Sequence, residues 1–558
     1  MPETMYKLPI RRMLVIALFA VFLFLRLFVS HDSVLLSSDN LKFMEAAKNF
    51  PYHTLYNGQI YLLHPPLYPY AIHFFTLIFN DDYTAAVVIS IISAIVTFFV
   101  LYHLFMMLTG DFSLTCLILL FFTLSNSLIV SARVVARESS LIMLATSSIY
   151  FYIKGVKSNN KKYILFAALI GSALAASSDH VVFLFPALIL SYIFFNREKV
   201  DLRRFSFPNI WGIILPLLII SLFYGSWTLV KYHHYSNSEY YVNGYEGTPV
   251  NTRDLGLLQL ISPQNFEDYG GTDVETGTIS AIKRTAFNLG YMLNMEPFSI
   301  PRGLNFSTMG YLLFPRHIAY MAIIYLPLSL VALFGIVRII YHFIKTRKAY
   351  GNVGLYALFI FLIFAFPITQ KFSSPKYVLV SYIFLYYIIS FGLISLLQKI
   401  RKWHFYGKYT AAALMLLLLL IPFWYYYNPN FVFSLNKFIS AQKTGDFINA
   451  NIPKDAVIMA QPGYTAKLIY LTGNKIIGLH HDPEKLPYLI ELYNVSYAVT
   501  GKFYTEARGL SRESVDHIMD NPEKFELIGA INEDYSGFFV EEDFARTDRT
   551  YIYKIKRE

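Results

Sequence analysis

Long apolar runs separated by short polar joints occupy the first three quarters of the chain. A helix needs about 20 apolar residues to cross the hydrocarbon of a bilayer. The pattern predicts spans over 13–29, 83–108, 112–130, 139–155, 162–176, 180–196, 209–230, 317–341, 353–368, 376–398 and 409–427. The stretch 66–79 is apolar too, but it is short and interrupted by Pro69 and His73. Beyond 428 the pattern changes. Short β-prone runs such as Ala456-Val457-Ile458-Met459, Tyr497-Ala498-Val499 and Tyr551-Ile552-Tyr553 alternate with helix-like stretches at 484–494 and 511–520. The expected fold is therefore an all-α polytopic membrane domain over 1–427, followed by a small extracytoplasmic α/β domain over 428–558.

The basic residues orient these spans. They cluster at Lys7/Arg11/Arg12, Lys154 to Lys162, Arg197 to Arg204, Arg338 to Lys348 and Lys399 to Lys408, all of which the positive-inside rule places in the cytoplasm. Between any two such clusters the chain must cross an even number of times. Five apolar candidates lie between Arg12 and Lys154, so the weakest, 66–79, is assigned to a helix lying in the outer interface. This leaves about eleven spans, a cytoplasmic N-terminus, and external regions at 30–65, 231–316 and the tail. No small-residue cleavage site ends 13–29, and bulky Leu27-Phe28-Val29 suits one poorly, so that segment is expected to be a retained anchor.

Composition agrees with a membrane setting. The 558 residues are 55% hydrophobic and only 15% charged, against about 25% charged in soluble domains. Aromatics reach 17%, in keeping with rings that favour the membrane–water interface. In a soluble protein a net charge of +10 would suggest nucleic acid; here the basic residues fall in the joints between apolar spans, which points to cytoplasmic loops instead. The single cysteine, Cys116, can form neither an intrachain disulfide nor a cysteine-based metal site.

The outer ends of the spans carry a different mixture. Asp39 and Asn40 lie in the first external loop and His64 ends it. Arg133, Arg137 and Glu138 share the second external turn, Asp179 and His180 the next, and Lys371 and Lys376 precede a late span. Acids and bases together at a membrane edge mark a functional site by default. Sugar transfer from a lipid phosphate would use both. A carboxylate orients or deprotonates the acceptor hydroxyl, and cations stabilise the charge that grows on the departing phosphate. Residue type and location alone do not single out sugars.

Two stretches sharpen this reading. Asp39-Asn40-Leu41-Lys42-Phe43-Met44-Glu45-Ala46-Ala47, followed by His64-Pro65-Pro66-Leu67-Tyr68-Pro69, resembles the first external loop of GT-C membrane glycosyltransferases, above all relatives of dolichyl-phosphate-mannose protein mannosyltransferases and the lipid A aminoarabinose transferase. Ala132-Arg133 with Glu138 five positions after the Arg resembles a second segment of that family, and Lys376-Tyr377 a third, weaker one. The tail, with Ile452-Pro453-Lys454-Asp455-Ala456 and Leu471-Thr472-Gly473, is similar to the external domain of many such enzymes.

The resemblance implies an inverting glycosyltransferase that takes sugar from a polyprenyl-phosphate donor to an extracytoplasmic acceptor. It implies Asp39 as the catalytic carboxylate and Glu138 at the second acidic position. Arg133, Arg137 and Lys376 would contact the donor phosphate, and Asn40, His64, Pro65 and Pro66 would shape the loop. Asn40 stands where many relatives have Glu, Glu138 replaces the commoner Asp, and Asp179-His180 occupies a place often held by Lys. Carboxylates and His64 near the motif leave a divalent metal open, while no ligand spacing establishes one. A transporter and an inactive relative serving as an assembly partner are the competing readings. No repeat halves and no broken-helix pair at the midplane favour the transporter.

Overall fold

The computed structural model describes residues 3–27, 34–35, 38–52, 65–133, 135, 137–196, 211–237, 326–346, 349–365, 379–401, 437–438, 441–480, 482–501, 512–533 and 548–556. The chain divides into two compact units. The first comprises 1–30, 87–223 and 275–432, the second 31–86, 224–274 and 433–558.

The first unit is helical. Its elements are α1 (Glu3–Leu27), most of α4 (Asp82–Thr109), α5 (Phe112–Leu124), α6 (Asn126–Arg133), α7 (Glu138–Ser158), α8 (Lys161–Ala175), α9 (Leu184–Phe195), the first part of α10 (Trp211–Asn237), α11 (Leu326–Thr346), α12 (Ala349–Ala365) and α13 (Leu379–Arg401). Turn chemistry sets the reversals. Gly110, at φ +65°, ends α4 in the left-handed region. The Asp111 carboxylate then accepts from the Ser113 and Leu114 amides, capping α5. Asn159 and Asn160 repeat the device between α7 and α8.

Among the described residues, Asp82–Thr109, Trp211–Val230 and Leu379–Lys399 are long and apolar enough to cross a membrane. Burial separates their roles: α13 is 78% buried along its most apolar stretch and α10 only 11%. The first is packed on most sides and the second is exposed along most of its length. Gly335 of α11 and Gly392 of α13 face each other so closely that a Cβ on Gly392 would stand 3.0 Å from the Gly335 Cα. Missing side chains let the two backbones meet, as small residues do in membrane bundles. Two pairs of buried hydroxyls in this apolar unit meet each other, Ser93 with Ser140 (3.0 Å) and Ser191 with Tyr356 (2.8 Å).

Two expected spans take a different form. The run 112–130 is not one helix: α5 stops at Leu124, Ser125 is extended, and α6 starts at Asn126. The Tyr386 hydroxyl donates to Ser125 Oγ at 2.6 Å and holds the break from α13. The run 180–196 opens as a 3-10 turn, Asp179–Phe183, before α9. The span expected over 409–427 lies outside the described residues.

The second unit holds the sheet. Strands β3 (Val457–Ala460), β4 (Lys475–Gly478), β5 (Val495–Gly501), β6 (Phe525–Glu533) and β7 (Asp548–Ile555) run in the order β4-β3-β5-β7-β6. The first three are parallel and β7 and β6 antiparallel to their neighbours. The helices are α14 (Gln442–Asn451), α15 (Pro462–Thr472), α16 (Leu486–Tyr493) and α17 (Arg512–Asp520). Side chains alternate across each strand, so Ile458 and Ala460 join Ile448, Tyr464 and Leu468 on one face, while Met459 joins Leu489, Val515 and Ile518 on the other. The α/β character expected of the tail is present, with β4 and β6 added to the predicted strands. To this unit also belong α2 (Ser38–Lys48), α3 (Leu67–Phe79), and the two-residue strands β1 (Val34–Leu35) and β2 (Lys437–Phe438), which pair in parallel.

Candidate functional site

The candidate residues occupy both units. In the second, Asp39 and Asn40 fall in the first turn of α2, where the helix dipole favours a carboxylate. The helix is anchored by its apolar side: Leu41, Phe43, Met44, Ala46 and Ala47 are all buried. Phe43 meets Tyr68 of α3 edge to face at 5.2 Å. Pro65 is buried and Pro66 stands immediately before α3, where a residue without an N–H costs no hydrogen bond. The loop leaving α2 folds back on the same helix. His73 Nδ1 is 3.0 Å from the Ala47 carbonyl, Phe50 stacks on His73 at 4.5 Å, and the Tyr70 hydroxyl donates to the Pro51 carbonyl at 2.6 Å. The structure thus brings the Asp39 helix and the Pro65-Pro66 helix together, through apolar and ring contacts that residue spacing could not reveal.

A charged group closes the other end of α2. Lys48 Nζ lies 3.8 Å from Glu45 and 3.8 Å from Asp82, with the Tyr470 ring of α15 beneath it at 4.8 Å. Burial holds the Glu45 carboxyl above its usual range; Asp82 adds to the effect and Lys48 opposes it. The sequence displayed Glu45 in the motif, but Lys48 and Tyr470 carried no signal, since their relation exists only in three dimensions.

In the first unit, α6 ends at Arg133 and α7 opens with Glu138, again an acid in a first turn. Arg137, 5% exposed, donates to the Ser177 carbonyl at 3.4 Å. That contact ties the start of α7 to the segment leading into Asp179 and His180. The α6–α7 junction is fastened further by Ser139 with Ser131 at 3.3 Å. Arg26, near the end of α1, is 1% exposed. It donates to the carbonyls of Phe22, Phe122 and Thr123 and lies 3.8 Å over the Phe22 ring, serving the end of α5. His64 and Lys376 lie outside the described residues. Among the described residues no three His, Cys, Asp or Glu side chains gather as a metal site.

Residues 63–224 match the family model described as dolichyl-phosphate-mannose-protein mannosyltransferase. The match contains the Pro65-Pro66 run and the Arg133–Glu138 segment and begins after Asp39. Solved structures extend the likeness to nearly the whole chain. The archaeal oligosaccharyltransferase AglB from Archaeoglobus fulgidus, in complex with an inhibitory peptide and a dolichol-phosphate, is 12% identical with a TM-score of 0.57, covering 90% of this chain and 70% of that one. ArnT from Cupriavidus metallidurans bound to undecaprenyl phosphate is 12% identical with a TM-score of 0.54, covering 99% and 98%. This chain has the fold of a GT-C membrane glycosyltransferase. A second structure of the A. fulgidus oligosaccharyltransferase, in complex with Zn and sulfate, matches the GT-C fold of this chain at 11% identity and a TM-score of 0.53, covering 94% and 72%. No curated protein sequence matches the chain.

Proposed function

We propose that this protein transfers a sugar from a polyprenyl-phosphate-linked donor to an extracytoplasmic acceptor with inversion at the anomeric carbon. The observation that carries the proposal is the likeness, over 99% of this chain, to a fold solved with undecaprenyl phosphate bound. The acid-plus-base composition of the candidate site supports it.

In this reaction the acceptor oxygen forms a bond to the anomeric carbon as the bond from that carbon to the phosphate oxygen breaks. The acceptor proton passes to a carboxylate and polyprenyl phosphate departs. Asp39 is assigned the carboxylate role and Glu138 the second acidic position. Arg133, Arg137 and Lys376 are assigned to the phosphate, whose growing charge fixed cations stabilise. Part of the Arg137 guanidinium already serves the Ser177 carbonyl. Asn40, His64, Pro65 and Pro66 shape the loop around Asp39. The membrane portion, 1–427, would hold the donor at bilayer depth, with about eleven spans, and the tail from 428 would face outward.

The test is turnover of purified protein in lipid nanodiscs on labelled polyprenyl-phosphate hexoses. Wild type consumes a donor, and Asp39→Asn lowers that rate by about 100-fold or more without loss of folded protein. Equal rates in the two proteins would remove Asp39 from the chemistry. Absence of consumption by folded wild type would defeat the enzyme reading.

A further inference from the structure

The second unit brings together two helices, α2 and α15, that lie more than 400 residues apart in sequence. The helix α2, which carries Asp39, packs against α15 of the C-terminal α/β domain. Three features lock that contact. Lys48, in the last turn of α2, has the Tyr470 ring of α15 at 4.8 Å. The same ammonium lies 3.8 Å from Glu45 and from Asp82, so one cation is set between two carboxylates and a ring face. Just ahead of α2, Val34 and Leu35 pair in parallel with Lys437 and Phe438, which lead into the domain. The Asp39 helix is therefore held on α15 at its C-terminal end, and the strand before it is held on the same domain.

The domain end of this contact is rigid. Tyr464 and Leu468 of α15 are buried in the core over the sheet. Its last turn is closed by Gly473 at φ +69°. The Asn474 amide then donates to the carbonyls of Pro453, Lys454 and Ala456. A helix fixed this way can serve as a template for another. By contrast α2 has only eleven residues, too few to be stable alone in water, so its position depends on what it packs against.

We propose, resting on the glycosyltransferase reading above, that the C-terminal domain is a positioning element of the active site: α15, with Tyr470 and Lys48 as its positioning residues, sets the helix that presents Asp39. Neither residue touches the reacting atoms in this account. Misplacing a catalytic carboxylate by about 1 Å lowers a rate steeply, so loosening the Lys48–Tyr470 contact acts on kcat and leaves donor KM nearly unchanged.

The test uses the full chain in nanodiscs and two substitutions. Tyr470→Leu keeps apolar bulk but removes the ring face; Tyr470→Phe keeps the ring. Hydrogen exchange is read first. In Tyr470→Leu the amides of 38–48 exchange about three- to tenfold faster, in line with a lost cation–π contact, while β3, β5 and β7 keep wild-type protection. Tyr470→Phe, which keeps the ring face, exchanges more slowly over 38–48 than Tyr470→Leu. Unchanged exchange over 38–48 in Tyr470→Leu overturns the proposal, whether or not the protein is an enzyme. Donor turnover is read second. A kcat loss of about three- to tenfold in Tyr470→Leu, with donor KM within about twofold and rescue by Tyr470→Phe, supports positioning. Faster exchange with wild-type kcat overturns the link to catalysis. Absence of turnover in folded wild type defeats the enzyme reading, and with it the catalytic part of this proposal, while the docking part is judged by exchange alone.

Discussion

Glu45 shows how a carboxyl takes its behaviour from its surroundings. In the fold its carboxyl is raised by burial and by Asp82, against the pull of Lys48. A carboxyl whose folded-state value is raised gives its full share of stability below the ordinary carboxylate range, and loses it as pH climbs through the raised value. Glu45→Gln should therefore melt higher than wild type at about pH 8, with the difference closing towards about pH 4, as thermal unfolding of the detergent-solubilised chain would show. Arg26 presents the opposite case, a charge enclosed by carbonyls and a ring. Arg26→Met should cost about 2–3 kcal/mol of stability; Arg26→Lys should cost somewhat less, since an ammonium still donates to a carbonyl of the last α5 turn although it cannot stack flat on Phe22. The partners of Arg26 at 122 and 123 were not legible in the sequence, because they are backbone atoms of another helix.

At the scale of elements, the helices of the first unit were legible as apolar runs because the apolarity that fills them also sets their length. Their contacts were not. Gly335 and Gly392 read as unremarkable glycines in two apolar runs, yet they are the point where α11 and α13 touch. Gly392→Ala should destabilise by about 1–3 kcal/mol, the range for overpacking, because its Cβ would fall on the Val331 carbonyl oxygen. Gly225→Ala in α10 is the control: nothing lies within 4 Å, and helix propensity makes the change neutral or stabilising by about 0.5–1 kcal/mol. Thermal inactivation of the two variants side by side separates the cases. The break at Ser125 escaped the hydropathy pattern for a similar reason. Apolar residues continue on both sides of it, and the hydroxyl that steadies it comes from Tyr386, 261 residues away.

For the whole molecule, the orientation proposed from the basic clusters has a direct consequence. Cys116 is buried and is the only cysteine, so its replacement by Ala leaves a background for single reporters. Tyr488→Cys, at an exposed site of the C-terminal domain, should react with an impermeant maleimide from outside intact cells. Lys345→Cys, at the end of α11, should react only after the membrane is opened; the reverse pattern would overturn the orientation. The sequence by itself determined what short-range chemistry can encode. Apolar length marked the helices of the first unit, a change of pattern after 428 announced an α/β region, and the Pro65-Pro66 and Arg133 to Glu138 segments carried a resemblance that the family match over 63–224 contains. Only the tertiary structure decided that α2 and α3 share a compact unit with the C-terminal sheet, and that Arg137 is spent partly on Ser177. It alone set the Asp39 helix on α15 through Lys48 and Tyr470. Hydropathy and helical periodicity report on neighbours along the chain, whereas a cation over a ring 422 residues further on depends on how every intervening segment folds.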